Sequence, residues 1–276
     1  MKFVIFAEGD YSPNGGGSVA LHKLAHNIAS LGEDAYIMTS KKNPNYLGQQ
    51  VNIHQAIELC KDDAIAIYPE VTCGNPFSSK KVMRWILYHV RKYGNHGVFG
   101  NDDLIYKYAP FFNLRNEQAV HGELRAHELN LDIFTDNNQP RKGDCYLIKK
   151  GNDKEHNYHS ETAIRLDNYP MYGDKANEYL AKVFNECERF VSYDTATWLN
   201  VMAALCGCES VVIPDANVTP EEWHNGYRYF KYGIAYGLDD LEYAKKTQHL
   251  VKKELLSIEA ETLEQTKQFI KKAYTL

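Results

Sequence analysis

The sequence predicts an α/β protein with two parallel-sheet domains and a helical C-terminal tail. Strand-like and helix-like segments alternate through most of the 276-residue chain, which is typical of parallel sheets covered by helices. The alternation restarts after a polar stretch at residues 135–144, TDNNQPRKGD, which has the composition of a linker. We therefore assign residues 1–140 to a first domain and residues 141–276 to a second.

The first domain opens with an apolar strand in MKFVIFAEGDY. A helix is predicted next in SVALHKLAHNIASLG, because its apolar residues recur near helical spacing and Gly32 is placed to end it. Further strands are predicted in DAYIMTS, AIAIYPE and MRWILYHV, which are separated by turn signals such as NPN and CGNP. This order of elements predicts a Rossmann-like unit.

The second domain repeats the pattern, with strands predicted in CYLIKKG, RFVSY and SVVIPD and helices in ANEYLAKVFNEC and TATWLNVMAALCG. The tail from Leu238 to Leu276 is predicted to be largely helical, in LEYAKKTQHLVKKELL and EAETLEQTKQFIKKAY. Two successive α/β units imply a cleft between them in which a ligand could be shared.

Composition narrows the class of protein. The formal net charge of −5 argues against a nucleic-acid binder that works by broad phosphate neutralisation. The apolar start, MKFVIF, is too short for a signal peptide or a membrane span, so we expect a cytoplasmic protein. Six cysteines without a C-x-x-C pair predict reduced, mostly buried thiols. The C-G-C at 206–208 would make half of a metal or redox site, but no second pair lies nearby.

Three consecutive glycines follow the first strand, in PNGGGSVAL at residues 13–21. One interpretation is a tight turn, because glycine relieves the steric cost of positive φ. The other is a ligand lying against the backbone at the amino end of the next helix, where unpaired N–H groups favour phosphates and hydroxyl groups. Both interpretations remain open from these residues alone.

The known phosphate loops do not match these glycines. The chain contains no G-x-x-x-x-G-K-[ST] loop, and the glycines are contiguous rather than spaced as in G-x-G-x-x-G. The second strand is followed by Lys41 and Lys42 instead of the acidic residue that holds the ribose of NAD. Two lysines would suit the extra phosphate of NADP, so an NADP-dependent oxidoreductase is kept as an alternative.

The second domain contains a more informative pattern. In YDTATWLNVMAALCGCESVVIPD a strand ends immediately before a helix that we predict to begin near Ala196 and to run to Cys206. Thr195 or Thr197 would cap the free N–H groups of this helix, and the same groups can bind a diphosphate. The blander alternative is a threonine that only caps its helix.

Lys149 and Lys150 end the strand that opens the second domain, and they would add positive charge for the diphosphate. Taken singly, such lysines are usually solvated. Their placement at the carboxyl end of a second strand of the same sheet favours a binding site.

These segments resemble glycosyltransferases with two facing Rossmann-like domains, the GT-B architecture, and especially short bacterial (group 1-like) enzymes of surface-polysaccharide synthesis. PNGGGSVALHKLAHNIASLGEDAYIMTS looks like the amino-terminal loop and helix of that family, which face the acceptor and the transferred sugar. CYLIKKGNDK looks like the entry strand with its basic turn that meets the donor diphosphate. YDTATWLNVMAALCGCESVVIPD, the most specific match, looks like the donor-binding segment.

The resemblance implies roles for individual residues. Asp194 falls where the family has an acidic residue that touches the donor sugar, whereas Met202 stands eight positions later in place of the usual glutamate. Methionine cannot accept hydrogen bonds from ribose hydroxyls as a carboxylate does, so donor binding is weaker or depends on another group. His89 lies where such enzymes place a histidine near the reacting carbon, with a structural strand-end role as the alternative.

The resemblance thus implies catalytic roles for His89 and Asp194 and two sets of binding residues. The donor would be bound by Lys149, Lys150, Tyr193, Asp194, Thr195 and Thr197. The acceptor and the transferred sugar would approach Gly15, Gly16, Gly17 and Ser18.

The predicted function is transfer of a sugar from a nucleotide-diphosphate donor to a glycan or glycolipid acceptor, with membrane contact only through the acceptor. No two aspartates are separated by one residue, as they are in the D-x-D pair of many metal-dependent transferases, so we expect no cofactor and no metal. The H-N-Y-H at 156–159 offers two metal ligands without a third, and we interpret it as a polar loop. The alternatives are a catalytically inactive binding or scaffold protein of the same fold, suggested by Met202, and the NADP-dependent oxidoreductase.

Overall fold

The computed structural model describes residues 1–12, 15–90, 99–110, 112–114, 118–167, 175–226 and 228–275. Within these ranges the protein is a mixed α/β structure with two parallel sheets and a long C-terminal helix. The chain divides into two compact units, which we call unit 1 (Met1–Glu128 and Glu259–Leu276) and unit 2 (Leu129–Ile258). Each is described by itself.

In the described part of unit 1, seven parallel strands form one sheet in the order β3-β2-β1-β4-β5-β6-β7. This is the order of a doubly wound sheet, and its direction reverses between β1 and β4. The elements are β1 (Lys2–Phe6), α1 (Gly16–Ser30), β2 (Asp34–Met38), β3 (Gln49–Val51), α2 (Ile53–Lys61), β4 (Ile65–Pro69), β5 (Lys81–Ile86), β6 (Leu104–Lys107) and β7 (Val120–Glu123).

The sequence explains the centre of this sheet. All five residues of β4 are buried, as expected for a strand covered on both faces. Helix α1 buries Leu21, Leu24 and Ile28 at helical spacing, and it ends before Gly32, whose φ of +88° is the left-handed conformation typical after a helix. The predicted positions of β1, α1, β2 and β4 are confirmed, whereas β5 overlaps only the first half of its predicted segment, MRWILYHV.

In the described part of unit 2, five parallel strands form the second sheet in the order β12-β11-β10-β8-β9. Read from β9, this is the 2-1-3-4-5 order of doubly wound sheets, which reverses between β8 and β10. The elements are β8 (Asp144–Leu147), β9 (Ile164–Arg165), α3 (Lys175–Glu186), β10 (Arg189–Ser192), α4 (Leu199–Leu205), β11 (Glu209–Val212), α5 (Pro220–Gly226), β12 (Ile234–Tyr236) and α6 (Leu241–Thr247). Helix α7 (Val251–Ala273) begins in unit 2, and its residues from Glu259 onward belong to unit 1.

The division of the chain differs from the predicted boundary at 140/141. Phe134 is already part of the core of unit 2, so the polar stretch 135–144 lies inside that unit. The tail was assigned to the second domain, yet its last part belongs to unit 1, where Phe269 packs on Phe3 with 5.6 Å between ring centroids. Both are tertiary contacts, and the local pattern of the sequence does not reveal such contacts.

Arg84 is a charged residue in the buried strand β5, with a side chain 1% exposed. Its Nε donates to Asp103 Oδ2 at 2.6 Å, and its two terminal nitrogens donate to the carbonyl oxygens of Thr72 and Gly74. A buried cation with several oxygen partners fixes the loops that carry them, because each partner would otherwise be left unpaired.

We expect Arg84→Met to lower the free energy of unfolding by about 3–5 kcal/mol, because Asp103 would keep a poorly solvated charge without its partner. Urea denaturation measures this change. Lys61→Ala is the matched control, since Lys61 forms an exposed ion pair with Glu58 and such pairs contribute about 0–1 kcal/mol. Equal effects of the two substitutions would contradict the structural role of Arg84.

Candidate functional site

The candidate site in unit 2 lies where β8 and β10 end, at the point where the strand order of the sheet reverses. Ligands of doubly wound sheets bind outside the carboxyl ends of the strands at such a point. Register pairs Leu147 with Ser192, so the residues that follow these strands leave the sheet side by side. The turn at 148–151 and the segment 193–197 therefore flank one position.

A carboxylate organises the turn after β8. Asp167 accepts hydrogen bonds from the backbone N–H groups of Ile148 (2.9 Å) and Lys149 (2.8 Å). Burial alone would raise the pKa of Asp167, but these N–H groups and Arg165 hold it below its usual value. Lys149 adopts a φ of +39°, a conformation that is uncommon for a residue with a side chain. No pattern in the sequence predicts this role of Asp167.

Gly151 closes the same turn against β10. Its N–H donates to Ile148 O at 2.8 Å. A Cβ atom at this position would lie 2.2 Å from the carbonyl oxygen of Tyr193 and 2.5 Å from its carbonyl carbon. The backbone of the turn thus touches the backbone at the end of β10, and only glycine permits that approach.

The ammonium group of Lys149 is half-buried, and the described residues offer it no hydrogen bond or ion pair. Burial is the main cause that lowers the pKa of Lys149; the charges of Asp194 and Asp167 oppose this shift, and Lys150 adds to it. A partly desolvated cation with a perturbed pKa is typical of a binding or catalytic site.

The other nearby lysines differ from Lys149. Lys150 is exposed on the turn. Lys154 donates from Nζ to Ile213 O at 2.6 Å and to Asp215 at 2.8 Å, so its charge is already compensated at the end of β11. Lys149 is therefore the best placed of the three to meet an anion.

Asp194 is buried and shapes the segment that follows β10. Its Oδ1 accepts a hydrogen bond from Ala196 N at 3.1 Å, and its carbonyl oxygen accepts one from Ser192 Oγ at 2.6 Å. Helix α4 consequently begins at Leu199, not near Ala196 as predicted. Thr195 does not cap it, whereas Thr197 Oγ1 accepts a hydrogen bond from Leu199 N at 3.4 Å. The predicted binding of a diphosphate by the free N–H groups of a helix beginning near Ala196 loses its basis.

The side chain of Tyr193 and the H-N-Y-H segment form one network. Tyr193 is fully buried; its hydroxyl accepts a hydrogen bond from Tyr158 N (3.0 Å) and shares another with His159 Nδ1 (2.8 Å). His156 donates to Gly151 O at 2.9 Å, and His159 stacks on Tyr146 with centroids 3.6 Å apart. These contacts show a packed polar loop at 156–159. Tyr193 would meet a donor only through its backbone.

None of the three consecutive glycines in unit 1 occupies a position where the structure requires glycine. Gly15, Gly16 and Gly17 do not have positive φ values, and a Cβ atom would meet nothing within 4 Å at Gly16 and only Leu87 Cδ1, at 3.7 Å, at Gly17. The tight-turn interpretation is therefore wrong for these residues. Ser18 Oγ accepts a hydrogen bond from Ser12 N, while Pro13 and Asn14 of the quoted motif lie outside the described residues.

His89 lies three residues beyond the end of β5, not within the strand as predicted. Its Nδ1 accepts a hydrogen bond from Asn113 N at 3.2 Å, and its ring contacts Tyr88 and Phe112 edge-on. These contacts hold the imidazole locally. The catalytic role of His89 stays a prediction.

Lys42 bears on the oxidoreductase alternative. Its Nζ donates to the carbonyl oxygens of Asn43 and Tyr46, so this ammonium group is already bound to the backbone of its own loop. A phosphate of NADP would have to displace these bonds. The structure therefore does not favour the cofactor interpretation of Lys41 and Lys42.

Three further observations on the described residues concern the cysteines, groups of possible metal ligands and membrane-spanning helices. Cys206 and Cys208 are buried, and of the six free thiols only Cys73 is exposed. Within the described ranges no group of three or more histidine, cysteine, aspartate or glutamate side chains is placed to hold a metal ion. The helices in the same part of the chain include none with the length and apolar character of a membrane span.

Comparison with known families gives no assignment. No protein-family model matches the chain, and no curated protein matches it significantly.

Proposed function

We propose that the protein is a glycosyltransferase that moves a sugar from a nucleotide-diphosphate donor to a glycan or glycolipid acceptor. The two units would be the donor-side and acceptor-side domains of a GT-B enzyme, with unit 2 binding the donor. The observation that carries the proposal is Lys149, a half-buried cation whose ammonium group has no hydrogen bond or ion pair among the described residues, where the strand order of the second sheet reverses.

A diphosphate fits this position by charge and by geometry. The leaving group of the transfer is a nucleoside diphosphate, whose negative charge increases as the glycosidic bond breaks. An ammonium group that is fixed beforehand and partly shielded from water stabilises such charge more than a solvated one does. The Asp167 bonds fix the backbone of the turn that carries this ammonium group. Lys149 would thus do what a metal ion does in other transferases.

Asp194 would act on the sugar rather than on the phosphates. It follows β10, opposite the turn that carries Lys149, and one of its oxygens is already bound to Ala196 N. The other carboxylate oxygen would accept a hydrogen bond from a donor hydroxyl. This role, like that of His89, rests on the resemblance and on position.

A scaffold without turnover is the second candidate, and Met202 is the observation that favours it. Met202 is buried in the core of unit 2, packed with Leu199 and Cys206 among others. Because this residue is a methionine, the position offers no carboxylate to accept hydrogen bonds from the ribose hydroxyls. Such a protein would bind a nucleotide sugar weakly and leave it intact.

A thermal-unfolding panel of UDP, GDP, ADP, CMP and NADP tests the proposal. A ligand at 100 times its dissociation constant stabilises a protein by about 2.7 kcal/mol. We expect one nucleoside diphosphate to raise the unfolding temperature. Stabilisation by NADP alone, or by none of the five, would contradict the proposal.

Replacing the glycines at the start of α1 is expected to raise stability and, if a ligand binds there, to lower activity. Gly16→Ala and Gly17→Ala should each stabilise helix α1 by up to about 1 kcal/mol, because alanine is the better helix former and both positions have room for a Cβ. If a ligand approaches the backbone there, the same variants lose transfer activity. Thermal unfolding and donor turnover measure the two effects. Stabilised variants with full activity would show that this loop has no part in the reaction.

A further inference from the structure

A polar and aromatic cluster in unit 1 has no role in the donor site. It consists of Tyr11, His22, Tyr46 and Glu128, which we call the Tyr–His box. Tyr11 packs edge-on against His22 (4.9 Å between centroids, 70°) and against Tyr46 (5.9 Å, 72°). Tyr11 also donates from its hydroxyl to Glu128 Oε2 at 3.3 Å.

The box is built on one face of helix α1. Ser18, His22 and His26 are spaced by four residues and so lie above one another. His26 holds Tyr46 in place, because its ring packs against Tyr46 and its Nδ1 accepts a hydrogen bond from the N–H of the next residue, Leu47, at 3.1 Å. Lys42 donates from Nζ to the carbonyl oxygens of Asn43 and Tyr46 and so holds the backbone of the loop that carries Tyr46.

His22 is the unusual member. Its side chain is 1% exposed, and its Nδ1 lies 2.8 Å from Ser18 O. A carbonyl oxygen only accepts, so Nδ1 carries the proton. Burial is the main cause that lowers the pKa of His22; the bond to Ser18 opposes this shift, and the charge of Lys42 adds a smaller lowering. The ring is therefore neutral near pH 7. The Nε2 atom is then an acceptor.

The described residues provide no donor for this buried Nε2 atom. A buried acceptor without a partner lowers the stability of the fold, because it loses its hydrogen bonds to water and gains none in return. Unpaired buried groups of this kind are rare in folded proteins and point to a catalytic role, a bound ligand or an ordered water. The position of His22 in a shared polar cluster makes a ligand the explanation to test.

The chemistry of the box selects the ligand. The pKa of Tyr11 is raised to about 12 by burial and then by Glu128, and burial, Tyr11 and Glu128 also raise the pKa of Tyr46. Both phenols thus remain hydroxyl groups, while Glu128 and His22 Nε2 are acceptors. Side-by-side donors and acceptors suit hydroxyl groups, which do both, and aromatic rings suit the C–H faces of a sugar.

We propose that the Tyr–His box is a saccharide-binding subsite in which His22 Nε2 accepts a hydrogen bond from a sugar hydroxyl. The choice of a saccharide rests on the proposed function, in which unit 1 would hold the acceptor. The subsite itself is defined by residues of unit 1 alone.

The test observes the imidazole nitrogens directly. Protein labelled with ¹⁵N-histidine is titrated with methyl glycosides of common hexoses and N-acetylhexosamines, without any nucleotide. We expect the Nε2 resonance of His22 to shift and saturate with at least one glycoside, while the exposed His54 on α2 stays unchanged. A His22 resonance that no glycoside shifts overturns the proposal and leaves an ordered water as the partner of Nε2.

Two substitutions separate the nitrogens. His22→Asn places an amide near Nδ1 and can keep the bond to Ser18, so we expect glycoside affinity to fall at least tenfold. His22→Gln places an amide oxygen near Nε2, and we expect it to retain most of the affinity. Tyr46→Phe, which keeps the ring and removes the hydroxyl, should weaken the same glycoside and tests the box if the histidine variants do not fold. Equal affinity in wild type, His22→Asn and Tyr46→Phe would contradict the assignment.

The two proposals fail independently. Nucleotide binding and donor turnover without any shift of His22 would sustain the transferase and reject the subsite. A glycoside that shifts His22 in a protein that binds no nucleotide would sustain the subsite and reject the transferase.

Discussion

Replacing Lys149 with alanine is expected to weaken the binding of a nucleoside diphosphate by about 10- to 100-fold, since hydrogen bonds to charged groups contribute about 1.5–3 kcal/mol. Isothermal titration calorimetry with the diphosphate that stabilises the wild type measures the loss. Lys182→Ala is the matched control, because Lys182 lies on helix α3 of the same unit in an exposed ion pair with Glu186. Equal affinities in the two variants would remove Lys149 from the site.

The pH dependence of binding identifies the group more closely. Burial lowers the pKa of Lys149 from its ordinary value of 10.5, and diphosphate binding requires its charged form. Binding should therefore decline with rising pH before the pH reaches that ordinary value. A Lys149→Arg variant stays charged throughout this range, so its affinity should remain constant. The same decline in the arginine variant would assign the titration to another group.

The second large effect is expected from Gly151→Ala. The added Cβ would lie 2.2 Å from Tyr193 O and 2.5 Å from the carbonyl carbon of Tyr193, and these two Tyr193 atoms belong to backbone that cannot move like a flexible side chain. We expect the free energy of unfolding to fall by about 3 kcal/mol, at the upper end of the usual cost of overpacking, and diphosphate binding to be lost with the turn. Urea denaturation and calorimetry measure both.

Gly226→Ala is the control for this substitution. Gly226 lies in helix α5 without a positive φ, and a Cβ there would meet nothing within 4 Å. Its replacement should leave stability unchanged or raise it by up to about 1 kcal/mol. A loss below about 1 kcal/mol for Gly151→Ala would show that the turn adapts, and the fixed position of Lys149 would be in doubt.

The sequence located the sheet elements best where local pattern decides structure. The buried run of β4 and the glycine after α1 are examples, because burial on two faces and a left-handed residue each leave a local signature. The start of α4 was placed three residues early. There the side chain of Asp194 binds Ala196 N and forms a turn that a helical apolar pattern does not reveal.

Contacts between distant residues could not be predicted. Tyr11 and Glu128 are 117 positions apart, and the pair that holds Arg84 in β5 joins residues 19 positions apart. The assignment of the end of α7 to unit 1 depends on the pairing of Phe269 with Phe3. A single sequence contains no local signal for such pairs, because neither partner differs from its neighbours in residue type or in spacing along the chain.

The candidate site was predicted in part. The basic turn was recognised at Lys149 and Lys150, since two lysines directly follow a strand. Its geometry was not, because Asp167 comes from beyond β9 and the contact of Gly151 with Tyr193 joins two separate strands. The glycine in K-K-G was the available signal for that close approach.

Release of nucleoside diphosphate from a nucleotide sugar tests the central claim most directly. In the absence of an acceptor, water takes its place: the bond between the anomeric carbon and the diphosphate oxygen breaks, and the sugar gains a hydroxyl. The account predicts slow, equimolar release of sugar and diphosphate, observed by NMR, in the wild type and in Lys182→Ala but not in Lys149→Ala. A nucleotide sugar that binds the wild type and remains intact, with and without candidate acceptors, would contradict the transferase and favour the scaffold.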